Sequence, residues 1–379
     1  MKEPKLLCLL FLFCCMTSHL PIYAQTNAQL SEIAADFQTT YKVPGLAIAL
    51  ILPDSIFVGL AGTRGSNIPD KIEVTDKFHL GSNSKAITAF LAAKLVEEGQ
   101  ISWTDELTAV LPELASYLHQ TYQKINLEGL LSHRTGLPAF EDESSAEFRA
   151  LKRQKGVDLI SRLEFAKIAL GLPAVPLGEK GHFYSNAGYI IAALMIERKI
   201  GKSYEDLLAM QFEQLGYDFY IGFPQEENPT QNGGHRKRPL AFLSQQKYRP
   251  LPVHNPFEVQ AYFAPAGDLS MNIHDLSHFM QLHLKGLLGD NNFLLSESYK
   301  RLHFGLADYA LGWYNGYIGK TTQRFSYHGG STGTFSSAIM LSPDRGVGII
   351  ILVNAESKAV QKLKTELREM LWTRFGGGS

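Results

Sequence analysis

Cysteine is absent after position 15: the three cysteines of the 379-residue chain are Cys8, Cys14 and Cys15. A body without thiols has no disulfide framework, no thiolate nucleophile and no cysteine-ligated metal. An excess of charge of either sign is missing too. Lys and Arg number 36 against 37 Asp and Glu, a formal net charge of −1. That leaves no basic field for a nucleic-acid backbone and no acidic tail for basic partners. The apolar run Leu6 to Met16 is too short to span a bilayer, so no stable membrane span is expected. No internal repeat is found. A small molecule or short peptide is therefore the default partner. Hydrophobic residues at 45% and charged ones at 19% suit a chain that buries a sizeable core, in two packed regions or one large mixed fold.

Lys2 and Lys5 precede that apolar run, and Ile22-Tyr23-Ala24 offers a small residue for cleavage before Gln25. This is the layout of a secretory signal peptide over residues 1–24, which implies a periplasmic or secreted protein. All three cysteines fall inside it. Phe11 and Phe13 stand where a lipoprotein signal ending at Cys14 or Cys15 wants small residues. Residues 25–375 are read as one folding unit, and Gly376-Gly377-Gly378-Ser379 as a flexible tail.

Along the body, Pro44 to Leu52 and Ser55 to Gly62 are β-rich runs joined at Pro53-Asp54. A helix-rich middle follows, with a helix from Ser82 to Gly99 and others over 157–172, 187–200, 204–215 and 274–285. Strand texture returns at 309–315, 324–328, 335–341 and 347–353, and an amphipathic helix over 356–374 closes the chain. The expectation is an α+β fold. The first two and last three strands form a five-stranded antiparallel sheet (about 28–78 and 300–375), covered by terminal helices. A mostly helical part, about 79–299, is inserted. The polar stretch from Pro224 to Pro252 reads as an exposed loop, with His235-Arg236-Lys237-Arg238 a solvated patch.

The strongest chemical signal is Ser82-Asn83-Ser84-Lys85. Residues three apart share a helix face, which brings Lys85 within reach of the Ser82 hydroxyl. A serine hydroxyl needs a partner to take its proton, and a lysine serves once burial lowers its pKa. A helix start also aims backbone N–H groups at a developing oxyanion. By itself Ser-x-x-Lys is a weak pattern, equally compatible with an N-cap serine on a surface helix.

Its context is specific. The stretch Phe78 to Ala89 (FHLGSNSKAITA) resembles the nucleophile segment of class C β-lactamases, D-alanyl-D-alanine peptidases and related esterases. Tyr184-Ser185-Asn186 matches that family's Tyr-x-Asn, and His328-Gly329-Gly330 stands at its Lys-Thr-Gly position. Leu131 to Pro138 (LSHRTGLP), Pro265 to Ser270 (PAGDLS) and Leu311-Gly312-Trp313 are similar to further landmarks, in the family's order along the whole body. The resemblance implies a β-lactamase/transpeptidase-like fold and a serine hydrolase without metal or organic cofactor. It implies Ser82 as nucleophile, with Lys85 and Tyr184 handling protons and the Tyr184 phenol depressed by nearby cations. Asn186 would then meet a substrate amide carbonyl, His328, Gly329 and Gly330 would line the substrate, and the N–H groups of Ser82 and Ser331 would form the oxyanion hole.

Two departures bear on specificity. His328 replaces a lysine and carries charge only below a pKa ordinarily near 6.5. Ala139 and Phe140 replace a segment that in those lactamases runs to a substrate-contacting glutamine. Both favour an esterase or peptidase-like activity on less charged acyl substrates over a true class C-like β-lactamase or D-alanyl-D-alanine carboxypeptidase. Peptidoglycan-derived peptides remain among the candidate substrates. A non-catalytic peptidoglycan- or peptide-binding protein is the reading from another class. Gly329 to Gly333 also fits Gly-x-Ser-x-Gly, but that elbow must lead from strand to helix, and strand is expected after it. His274, His278 and His283 are read as ordinary helix positions rather than a zinc site.

Overall fold

Residues Gly45–Leu52 (β1) are apolar at every position because both faces of the strand are covered. Leu46, Ile48 and Leu50 face one layer, and Ala47, Ala49 and Ile51 face the other. In the computed structural model, which describes residues 22–375 apart from 67, 123, 142–144, 148, 150–160, 239–246 and 252–260, β1 is an inner strand of a seven-stranded antiparallel sheet. Its neighbours are Ser55–Gly65 (β2) and Val347–Val353 (β12), in registers Leu46↔Ala61 and Leu46↔Val353. Ser336–Ser342 (β11), Arg324–Ser331 (β10) and Tyr314–Tyr317 (β9) extend one side, and Ile68–Lys71 (β3) extends the other.

The expected sheet is thus present with two strands more than foreseen. β3 adds an edge after β2, and β9 adds one beside β10. Tyr309 to Trp313, read as strand, instead pack as an irregular buried segment. Tyr309, Ala310, Leu311 and Trp313 are all fully buried, and the strand starts only at Tyr314.

The terminal helices Ile22–Tyr41 (α1) and Lys358–Phe375 (α9) cover one sheet face. Leu30 and Ile33 of the first and Val360, Leu363, Leu367 and Leu371 of the second close on Leu46, Ile48 and Val353. The other face carries the helical block: Ser84–Glu97 (α2), Leu127–Leu131 (α3), Arg162–Gly171 (α4), Asn186–Ile200 (α5), Tyr204–Leu215 (α6), Ile273–Leu288 (α7) and Ser296–Phe304 (α8). Several starts carry side-chain caps. Ser161, Ser203 and Asn272 accept from the N–H groups of Glu164, Asp206 and Asp275, which satisfies donors no helical carbonyl reaches. α2 and α5 are buried almost all round, so neither shows a strong apolar stripe.

Lys77–His79 (β4), Leu269–Asn272 (β8) and Phe219–Ile221 (β5) form a separate three-stranded sheet. The polar stretch after Pro224 departs from expectation. His235–Lys237 (β6) pairs with Tyr248–Pro250 (β7) on one side and, in parallel, with Ala355–Glu356 (β13) on the other. The His235 ring is fully buried, accepting from Ser66 N–H (3.0 Å) and meeting Asn354 O (2.8 Å). A buried neutral ring, not a solvated patch, anchors this segment, and burial pushes its pKa down to about 4. Residues 1–21 of the expected 1–24 leader, with the three cysteines, the 376–379 tail, and parts of the 157–172 and 224–252 readings lie outside the described residues. Among the described residues no helix is long and apolar enough to cross a membrane.

Candidate active site

The α-helix expected from Ser82 begins at Ser84, and Ser82 sits in a preceding 3-10 turn, Gly81–Asn83. That turn presses against the end of β10. At Gly330 an added Cβ would lie 1.9 Å from Leu80 O, and at Gly81 (φ +54) it would meet Ser331 N at 2.7 Å. Only glycine permits this approach of backbone to backbone. Ser337, across from Gly330 in the sheet, ties the turn further: it donates to Leu80 O and accepts from Asn83 Nδ2, each at 2.7 Å. Ser84 donates to Gly81 O (2.7 Å) and accepts from Leu269 N–H (3.1 Å).

Lys85 is fully buried, with its Nζ 3.3 Å from Ser82 Oγ. The ammonium also donates to Asn186 Oδ1 and Ala266 O, both at 2.6 Å. All these acceptors are neutral. Burial pushes the amine down to about 7, against a small upward pull from the Glu141 charge. Near neutrality a fraction is free amine, able to take a hydroxyl proton. Two ring faces lie near it, Tyr184 at 4.8 Å and Tyr189 at 5.5 Å.

Tyr184 lies within hydrogen-bonding reach of Ser82. The expectation of a depressed phenol is overturned: burial pushes Tyr184 well above its ordinary value, and the Ser82 hydrogen bond only tempers this. It is a neutral hydroxyl, suited to giving a proton rather than storing a negative charge. His133 brackets it. The His133 carbonyl accepts from Phe183 N–H (2.9 Å) and its Nδ1 from Ser185 N–H (3.2 Å), while the imidazole packs 4.4 Å from the Tyr184 ring. The landmark LSHRTGLP thereby sets the position of Tyr184, a role its sequence did not disclose.

Asn186, expected to meet a substrate carbonyl, has both amide ends occupied. Its Oδ1 accepts from Lys85, and its Nδ2 donates to Phe140 O at 2.8 Å. It holds the lysine. His328 is 2% exposed, with Nδ1 2.9 Å from Gly329 O and Nε2 3.4 Å from the Tyr309 hydroxyl. Burial foremost, and then the Lys85 charge, push it down to about 3. A ring kept neutral in this way offers no imidazolium to a substrate carboxylate at mildly acidic pH. Phe140, one of the two residues that replace the glutamine-bearing segment, has φ +49, and its ring turns into the core against Phe165 at 4.9 Å.

Ser82, Tyr184, His328, Gly329, Gly330 and Ser331 together border an open cleft of about 460 Å³. Four further lining residues escaped the sequence reading: Glu141, Tyr314, Gln361 and Lys364. Tyr314 lies parallel to Tyr184 at 6.4 Å, so the aromatic wall comes from β9. Glu141 stands three residues after Pro138 of the Gly-Leu-Pro landmark, the one signal that pointed toward it. The Gly-x-Ser-x-Gly match runs along β10 and turns into β11, with no helix after it. His274 and His278 meet edge to face on α7 at 4.6 Å, while His283 is buried against His303.

A family model described as Beta-lactamase matches residues 30–370, and the chain belongs to that family. Protein flp of Staphylococcus aureus (strain N315) is 22% identical over 353 residues, 91% of this chain. The match spans 66% of that relative's length. The unguisins hydrolase ungD of Aspergillus violaceofuscus (strain CBS 115571) is 29% identical over 172 residues, 44% of this chain and 29% of that protein. In fold, the chain is similar to the octameric penicillin-binding protein homologue from Pyrococcus abyssi, with a TM-score of 0.70 at 19% identity. That likeness covers 92% of this chain and 78% of the other.

Proposed function

We propose that this member of the beta-lactamase family is an exported serine hydrolase that forms an acyl-enzyme at Ser82 on an ester, a D-amino peptide or a strained amide. The observation that carries this reading is Lys85: buried, in no ion pair among the described residues, held near pKa 7 and 3.3 Å from the Ser82 hydroxyl. In acylation Lys85, as free amine, takes the Ser82 proton while Oγ bonds to the substrate carbonyl carbon. The carbonyl oxygen gains the negative charge and is received by the N–H groups of Ser82 and Ser331. As the intermediate collapses, Tyr184 gives its proton to the leaving group and recovers one from Lys85. Water then attacks the ester with the proton path reversed, which releases the acid and frees Ser82. Asn186 and Ala266 O keep Lys85 in register, and His328 acts as a neutral wall. The relative named a hydrolase supports hydrolysis as the chemistry, and the leader-like residues 1–24 support export to the periplasm or the medium.

The test is intact-mass spectrometry of protein produced with its leader, then mixed with a p-nitrophenyl ester, a D-alanyl-D-alanine peptide and a penicillin. The expected results are a chain starting at Gln25, a transient acyl adduct with at least one substrate, and turnover. Ser82→Ala should lose adduct and turnover together while keeping its fold. An adduct that persists in Ser82→Ala removes the assignment.

A further inference from the structure

The landmark Pro265 to Ser270 supplies no reacting group, yet it grips the nucleophile segment along its length. Pro265 O accepts from the Thr88 hydroxyl at 2.7 Å, and Ala266 O accepts from Lys85 at 2.6 Å. Leu269 O accepts from Leu80 N–H at 2.8 Å, and Leu269 N–H donates to Ser84 Oγ at 3.1 Å. The remaining hold is a pair of side chains. β4 and β8 run antiparallel with His79 opposite Ser270, which brings Asp268 to the end of β4. His79 Nε2 lies 2.8 Å from Asp268 Oδ1, and both residues are buried. Phe223 packs on the imidazole at 4.6 Å. Burial raises the Asp268 pKa, and the bond from His79 tempers that rise by favouring the carboxylate.

The other ring nitrogen meets the backbone. His79 Nδ1 accepts from Gly81 N–H at 3.1 Å. Nδ1 therefore carries no proton, and Nε2 carries the one that is donated to Asp268. A carboxylate facing one imidazole nitrogen fixes which of the two is protonated. Gly81 is thus held on both sides: its N–H by His79, and its carbonyl by the Ser84 hydroxyl at 2.7 Å, with φ at +54 between them. In a planar trans peptide the N–H points away from the carbonyl it shares a plane with. Holding Gly81 O therefore sets the direction of Ser82 N–H, the donor that the proposed reaction aims at the oxyanion.

We propose that His79 is a positioning residue for the oxyanion hole: with its tautomer fixed by Asp268, it holds the Gly81 turn so that Ser82 N–H faces the oxygen that becomes charged. The inference rests on the hydrolase reading and extends it to two residues that do not border the cleft.

The test separates the two ring nitrogens. In His79→Asn the amide oxygen stands where Nδ1 stood and takes the N–H two residues on, as asparagine does in an Asx turn, while the contact with Asp268 is lost. In His79→Gln the amide reaches Asp268, and Gly81 N–H loses its acceptor. The readout is the kcat/KM ratio of a p-nitrophenyl ester to its thionoester, since sulfur is a weak acceptor and gains little from an oxyanion hole. Wild type should favour the oxygen ester. The ratio should fall about tenfold in His79→Gln, part of the roughly 10²–10³ that one such donor supplies, and stay within about twofold in His79→Asn. Denaturant melts should show no such division, because losses from a purely structural pair follow stability and leave the ratio alone. A ratio unchanged in His79→Gln, or lowered equally in both variants, overturns the inference and leaves the hydrolase reading standing. A wild type that turns over neither ester removes both. NMR of the nitrogen-labelled wild-type ring needs no variant to fold: the proton should sit on Nε2, and a proton on Nδ1 overturns the inference.

Discussion

In the proposed reaction the pH dependence gathers onto one residue, Lys85. Its free amine must take the Ser82 proton, and burial sets its titration near 7, so kcat/KM should fall as pH drops below that value. Glu141 borders the same cleft, and its negative charge pulls the Lys85 pKa upward. Glu141→Gln removes that pull, which moves the acid limb to lower pH. At pH 6 the variant should outpace the wild type about two- to threefold, the size of a single partly screened charge interaction. A pH–rate profile of both proteins decides it, and an acid limb that stays in place or moves upward would refute Lys85 as the base. His328 adds no step between pH 5.5 and 8.5, because its ring is already neutral throughout. The identities of Ser82, Lys85 and Tyr184 were legible because their spacing and context are motifs. Their protonation states were not, since these depend on a burial that residues distant in sequence create.

Elements meet at the site through missing side chains as much as through present ones. β10 and the nucleophile turn are in contact only because Gly330 offers no Cβ toward Leu80 O. Gly330→Ala should displace Ser82 from Lys85, lowering kcat more than a hundredfold, since small misplacements of reacting groups are costly. The clash should also cost about 1–3 kcal/mol of stability. Kinetics with denaturant melts check both, and near-wild-type activity would mean that the strand and turn are not locked. Most elements of this frame could be read in advance. α6 lies where periodicity placed it, and β1 and β12 announce themselves as unbroken apolar runs. The failures share one cause: backbone turns that reverse what a pattern implies. Tyr309 to Trp313 look like a strand because all but Gly312 are apolar, yet φ +84 at Gly312 folds them inward as a plug. Phe140 replaces part of a segment that leads to a substrate contact, yet its positive φ sends it to the core. His235 was hidden by the charged residues beside it, which carry no information about its own burial.

At the scale of the whole molecule, the interior is stocked with histidines that folding keeps uncharged. His133, His235, His283, His303 and His328 are each at most 2% exposed. Burial pushes every one of them down, to about 4 for His235 and about 3 for His283 and His328. Such groups act opposite to a histidine that gains an acidic partner. Between the folded values and an unfolded value near 6.5 the unfolded chain binds more protons, so stability rises with pH there and is lost as pH falls below 6.5. At pH 5 each ring contributes about 2 kcal/mol of lost stability, to an order of magnitude. Even half of the sum rivals the roughly 5–15 kcal/mol that holds a domain together. The depressed amines of Lys85 and Lys364 act in the same direction, but in the window above about 7 and 8 respectively. Acid unfolding should therefore begin above pH 4.5, with uptake of several protons per molecule and a Tm that drops steadily from pH 6.5 downward. Replacing the buried pair in His283→Leu/His303→Phe, which are 2.7 Å apart, should flatten that slope even if it lowers stability at pH 7. A Tm flat from pH 7 to 4.5, or a slope unaltered by the pair, would mean that the buried rings are protonated in the folded state and that polar partners offset their burial.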